Sequence, residues 1–115
     1  MFKIAFPLLL AAGVLMSATM TSNKDTGKSI FLDNKCNKCH SIETQGVERV
    51  GDAPPGGKLP PDLSGVGLKH DADWMAQWVT KKVEMNGKKH MKKFGGSDDE
   101  LKTLTTWLAT LKTKK

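Results

Sequence analysis

The chain has 115 residues, with 18 Lys and Arg against 12 Asp and Glu, for a formal net charge of +6 at pH 7. That length leaves room for one domain, and a domain so small is marginally stable without help. Its 2 cysteines lie three positions apart, and a disulfide across so short a loop would constrain little of the unfolded chain.

The chain opens with a positive charge at Lys3, an almost wholly apolar run from Ile4 to Met16, and the small or polar Ser17, Ala18 and Thr19. That order predicts a secretory signal peptide over residues 1–18, cut near Ala18, with a single domain over 19–115. A membrane span needs about 20 apolar residues, more than this run supplies. An uncleaved short anchor is the alternative, since Met16 suits poorly the position three residues before the cut. No Cys ends the apolar run, which excludes a lipid-modified N-terminus. The expected location is the bacterial periplasm.

A first helix is expected from Asp25, as N-cap, to His40, with Ile30, Phe31 and Leu32 as its apolar bulk. Gly27 precedes Phe31 by one helical turn on the same face, which suggests a close helix crossing there. This segment ends in Cys36-Asn37-Lys38-Cys39-His40. C-x-x-C-H is the spacing of covalent c-type haem attachment: one turn brings two thiols to a porphyrin edge and sets the next imidazole under the iron. A closed zinc site would need two further ligands from His40, His70 and His90, which lack paired spacing. A thioredoxin-like pair would sit beside a βαβ pattern, and none is visible. A covalent haem therefore fits best, with export supplying the compartment where such attachment occurs.

From Ser41 to Pro61 the periodicity disappears among Gly46, Gly51, Pro54, Pro55, Gly56, Gly57 and Pro60. A loop this long is expected to wrap something, and the haem is the candidate. A second helix is expected to start at Asp71, carry Trp74, Met75, Trp78 and Val79, and stop at Asn86-Gly87. Its two Trp share a stripe that reads as core, although one indole N–H could bond a haem propionate. Ser97-Asp98-Asp99-Glu100 predicts a capping box and a last helix with Leu101, Leu104, Leu108 and Leu111 at helical spacing and Trp107 beside them. Lys112, Lys114 and Lys115 would complement its C-terminal end. No segment reads as a strand. The class is all-α.

The apolar anchors Phe31, Trp74, Trp78, Phe94 and Trp107 are few for a core, so a flat porphyrin would complete it and the apoprotein is expected to be largely disordered. With His40 below the iron, a second axial ligand is needed, and softness favours a thioether. Met20 lies in the frayed start, and Met75 and Met85 on or at the end of a helix, where Met fills gaps. Met91 sits in an irregular stretch between Gly87 and Gly95-Gly96. It is the favoured ligand, with His90 and Met85 as alternatives.

These motifs together resemble a class I c-type cytochrome over Asp25 to Leu111. Gly27-Lys28-Ser29-Ile30-Phe31 ahead of the C-x-x-C-H resembles that family's first helix. Pro61-Asp62-Leu63-Ser64-Gly65 resembles its proline–leucine loop, and Met91-Lys92-Lys93-Phe94 its methionine loop. The resemblance implies three to four helices wrapped around one covalently bound haem c. It implies that Cys36, Cys39, His40, Pro61, Leu63, Met91 and Phe94 contact the haem, and that His40 and Met91 ligate iron. The Pro61 carbonyl would accept the Nδ1 proton of His40, Leu63 would pack on the porphyrin, and Leu104 with Trp107 would cross the first helix at Gly27 and Phe31. Many relatives have Pro after the ligand methionine; Lys92 here leaves the loop less rigid. Four residues separate Phe31 from Cys36, where some relatives have three. A motif so near the front is unlike the cytochrome c′ bundle.

Six lysines (Lys81, Lys82, Lys88, Lys89, Lys92 and Lys93) and one acid, Glu84, fall between residues 81 and 93. Around Met91 they would ring the haem edge and steer an acidic redox partner, chiefly through Lys88, Lys89, Lys92 and Lys93. The alternative is a solvated surface without partner preference. Nucleic acid is not expected for an exported haem protein, and a monomer is. The expected function is a soluble monohaem one-electron carrier rather than an enzyme. The alternatives are the haem subunit of a periplasmic redox enzyme, or a gas sensor whose Met91 is displaced by ligand.

Overall fold

Helix α1, Gly27–Asp33, is shorter than the sequence suggests at both ends. The computed structural model describes residues 26–52 and 59–114, so the leader over 1–18, Met20 and the Asp25 cap lie outside the described residues. Thr26 is the N-cap: its hydroxyl accepts from the Ser29 amide at 3.0 Å. At the other end the Asn34 side chain donates to the Ile30 carbonyl at 2.9 Å, and Lys35 enters the left-handed region at φ 61°, which no continuing α-helix tolerates. The chain resumes as a separate 3₁₀ turn over Cys36–Lys38.

The segment after His40, expected to be irregular, contains regular pairing in its described part, while Pro54, Pro55, Gly56 and Gly57 lie outside the described residues. Ile42 and Val47 pair across a tight turn over Glu43–Gln45, and both side chains are buried in the core. A further 3₁₀ turn, Val66–Leu68, leads to α2, Ala72–Val79. Asp71 caps α2 as its sequence suggests, accepting from Trp74 N at 2.8 Å. The expected stop at Asn86-Gly87 is wrong. Thr80 closes α2, its hydroxyl donating to the Ala76 carbonyl at 2.6 Å, and Lys81 turns left-handed at φ 63°. Asn86 and Gly87, at φ 54° and 79°, form the two-residue turn that pairs Met85 with Lys88, a conformation this dipeptide favours. Met85 is therefore not at a helix end.

Helix α3, Asp98–Ala109, begins with the expected capping box. Ser97 Oγ accepts from Glu100 N at 3.1 Å, and Glu100 Oε1 accepts from Ser97 N at 2.9 Å. Its last turn holds no basic residue, because the helix stops at Ala109; Lys112 and Lys114 come after it, and Lys115 lies outside the described residues. The tail then packs back on the loop before α2, with Gly67 N donating to Leu111 O at 2.8 Å and Thr113 N to Ser64 O at 3.0 Å.

Helix α1 crosses α3 at Gly27, where a Cβ would collide with Trp107 Cβ and lie 2.8 Å from its ring carbon Cδ2. That contact needs a residue without a side chain. Phe31 meets Trp107 edge-on, with ring centres 6.1 Å apart. The core is chiefly aliphatic, Ile30, Ile42, Val47, Leu104, Leu108 and Leu111, joined by Phe31 and Met75. Of the aromatic anchors only Phe31 is buried; Trp74, Trp78, Phe94 and Trp107 are half-buried. Three α-helices and short 3₁₀ turns make the fold all-α, and the described residues contain isolated bridges but no strand. Among them no helix is long and apolar enough to cross a membrane.

Candidate haem-binding site

The 3₁₀ turn after α1 gathers the attachment motif. Cys39 N and His40 N both donate to the Cys36 carbonyl, at 3.2 and 3.0 Å, so two thiols and an imidazole hang from one turn. Both thiols are free, Cys36 half-buried and Cys39 exposed. Burial pushes the Cys36 thiol up to about 11, outweighing the nearby Lys92 ammonium. Zinc takes the thiolate, so binding it here would have to overcome that burial. Among the described residues, no three His, Cys, Asp or Glu side chains converge as a closed metal site requires.

His40 is held by a residue distant along the chain. Its Nδ1 donates to the Pro61 carbonyl at 2.9 Å, because a carbonyl can only accept. Nε2 therefore keeps its lone pair, free to bind a metal. Burial also lowers the His40 pKa, despite the opposing Pro61 bond, and so favours the neutral, ligating form.

The Pro61 loop is locked in place by Asp62, whose role sequence reading missed. Its Oδ2 accepts from Ser41 Oγ at 2.7 Å and from Glu43 N at 3.0 Å, while Oδ1 accepts from Ser64 N at 2.8 Å. Leu63 N adds a bond to Ser41 O at 2.9 Å. Desolvation pushes the Asp62 carboxyl up, but the Ser64, Ser41 and Glu43 donors together win and hold it well below the usual carboxylate range. The signal lay in Asp62-x-Ser64, an Asx-turn pattern that binds its own backbone two residues on. Ser41 and Glu43 lie too far along the chain to be read that way.

The loop after α2 faces the motif turn. Phe94 N donates to the Val79 carbonyl at 2.8 Å, and its ring packs half-buried against the core, as does Leu63. Lys92 Nζ donates to the Asn34 carbonyl at 3.1 Å, tying the loop to the end of α1. Met91 is 77% exposed. Its neighbour His90 is half-buried, and the His90 ring lies 6.3 Å from the His40 ring with planes 7° apart. Trp78 abuts His90 at 5.4 Å, nearly edge-on at 67°. Behind it, Trp74 stacks on Trp78 at 5.4 Å and His70 on Trp74 at 3.8 Å. The tryptophan stripe is thus a ladder of rings between His70 and His90, with Trp74 also packed against the core. Lys82, Lys88, Lys89, Lys92 and Lys93 are exposed around this loop.

These side chains fit a covalently held haem. Two unpaired thiols and one oriented imidazole share a turn, and a second imidazole lies nearly parallel to the first with ring centres 6.3 Å apart. A search of curated proteins finds no match, and neither does a search of solved structures. A family model described as cytochrome c matches residues 25–112, from just before α1 to just past α3. With that match spanning all three helices, the C-x-x-C-H turn and the Pro61 loop that holds His40, the chain belongs to the cytochrome c family, whose members carry covalently attached haem c and its iron.

Proposed function

We propose that the protein is an exported monohaem carrier that passes one electron at a time between redox partners in the periplasm. The observation that carries this reading is the turn joining Cys36, Cys39 and His40, with His40 Nδ1 bonded to Pro61. The haem iron would supply the chemistry, alternating between ferric and ferrous. Cys36 and Cys39 would hold the porphyrin edge, and His40 would present Nε2 to the metal. Asp62 would keep the Pro61 carbonyl, and through it the imidazole plane, in place. Leu63 and Phe94 would exclude water from the porphyrin face. Such rigid ligation would keep geometric change between the two oxidation states small.

Opposite His40, the loop from Gly87 to Gly96 offers two candidate ligands, the Met91 thioether and the His90 imidazole. The lysines of the same loop would receive an acidic partner protein near the haem edge. Lys92, bonded to Asn34, would also hold the loop.

The test is mass spectrometry and oxidised and reduced visible spectra of protein exported by a cell with haem-attachment machinery. A mass increase of one haem and sharp low-spin bands in both states are expected. A mature protein without added porphyrin would refute the proposal. Rapid carbon monoxide binding by the ferrous form at neutral pH would replace the carrier with a sensor or an enzyme subunit.

A further inference from the structure

His40 and His90 stand in a relation that ring packing does not explain. Their planes are 7° apart but their centres are 6.3 Å apart, whereas the stacked His70–Trp74 pair has centres 3.8 Å apart. An imidazole nitrogen binds a metal at about 2 Å, so two rings on opposite sides of one ion have centres about 6 Å apart. The observed separation equals the one that two imidazoles on opposite sides of a single ion require.

Both rings are also pinned in the same way. His90 Nδ1 donates to the Lys92 carbonyl at 2.5 Å, as His40 Nδ1 donates to Pro61 at 2.9 Å. In each ring the proton sits on Nδ1, and Nε2 is left as the donor. Trp78 braces the His90 plane at 5.4 Å. The loop itself is anchored on either side, to Val79 through Phe94 N and to Asn34 through Lys92 Nζ. Met91, at 77% exposure, sits between these anchors with its side chain largely in solvent.

From this geometry we propose that His90, not Met91, takes the sixth coordination position, so that the iron is held by two imidazoles. The proposal rests on the haem reading above and departs from the thioether that softness alone favours. It carries a functional consequence. A thioether raises the potential of a c-type haem, so two imidazoles place this carrier lower on the redox scale, among more reducing partners.

The experiment compares exported holoprotein of wild type, Met91→Leu and His90→Ala, by ferric far-red absorption and electron paramagnetic resonance. Wild type is expected to be low-spin without the weak sulfur-to-iron band, and Met91→Leu to match it in spectrum and midpoint potential. His90→Ala is expected either to lose the low-spin signal, with added imidazole restoring it, or to gain the sulfur band as Met91 moves in. A sulfur band in wild type that vanishes in Met91→Leu would overturn the proposal, as would a high-spin wild type. Should His90→Ala fail to accumulate, the ferric electron paramagnetic resonance g values of wild type and Met91→Leu decide the matter. Two imidazoles differ there from an imidazole paired with a lysine amine, and the lysine pattern would overturn the proposal. Absence of porphyrin from the wild-type mass would instead sink the haem reading itself.

Discussion

Replacing Asp62 with alanine tests whether one carboxylate holds the Pro61 side of the site together. The substitution deletes the acceptor for Ser41 Oγ at 2.7 Å, Ser64 N at 2.8 Å and Glu43 N at 3.0 Å. Hydrogen bonds to charged groups contribute about 1.5–3 kcal/mol and neutral ones about 1 kcal/mol. Water reaches part of this cluster, so each bond counts near or below the low end, and the loss at neutral pH should be about 3 kcal/mol in total. The Asp62→Asn variant keeps a neutral acceptor and should lose about half of that.

The pH dependence has a definite sign. The folded-state pKa lies below the ordinary 3.8, so the stabilisation is complete above that value and drains away as pH falls through the folded pKa. Denaturant unfolding of the holoprotein should therefore show a constant gap between wild type and Asp62→Ala from about pH 7 to 5, closing below about pH 4. The midpoint potential should rise in the variant, since a looser Pro61 carbonyl makes His40 a weaker donor to ferric iron. A stability difference under about 0.5 kcal/mol at neutral pH, or a gap that persists undiminished in acid, would refute the reasoning.

Three further outcomes follow from the fold. Gly27→Ala gains up to about 1 kcal/mol of helix propensity but forces Trp107 aside, and overpacking costs about 1–3 kcal/mol. A net loss in thermal unfolding is expected, deepening in Gly27→Val, and a more stable alanine variant would mean that α1 and α3 do not cross here. A Cys36→Ala, Cys39→Ala variant made without haem should lose most of its far-UV helical signal, because the half-buried rings have too little apolar cover alone; native helix content would contradict this. Reversing charge at Lys88, Lys89 and Lys93 should slow association with an acidic redox protein by about tenfold or more at low salt and flatten its salt dependence. Unchanged kinetics would show these lysines to be ordinary solvated surface.

Local rules made much of this protein readable from its residue order. C-x-x-C-H needs only one turn to assemble, so its chemistry is written in five consecutive residues. The Ser97–Glu100 box and the Asp71 cap are likewise short-range hydrogen bonds, and both appeared where expected. The pairing of Gly27 with Trp107 and of His40 with Pro61 came from family resemblance, and both contacts are present. Short-range rules failed where a turn changed hand. Lys35 and Lys81 carry positive φ values that nothing in a lysine announces, so α1 and α2 end earlier than their apolar patterns suggest.

What only the tertiary structure decided concerns groups brought together from distant parts of the chain. Ile42 and Val47 became core because a turn folded them inward, and Asp62 became a clasp because Ser41 and Glu43 came within reach. The proposed ligation by His90 rests on an arrangement of the same kind. Sequence position and donor softness both favour Met91, with His90 and Met85 as alternatives, whereas orientation depends on the anchors at Val79, Asn34 and Trp78. Covalent attachment is a property of neighbours along the backbone, whereas axial ligation is a property of neighbours in space.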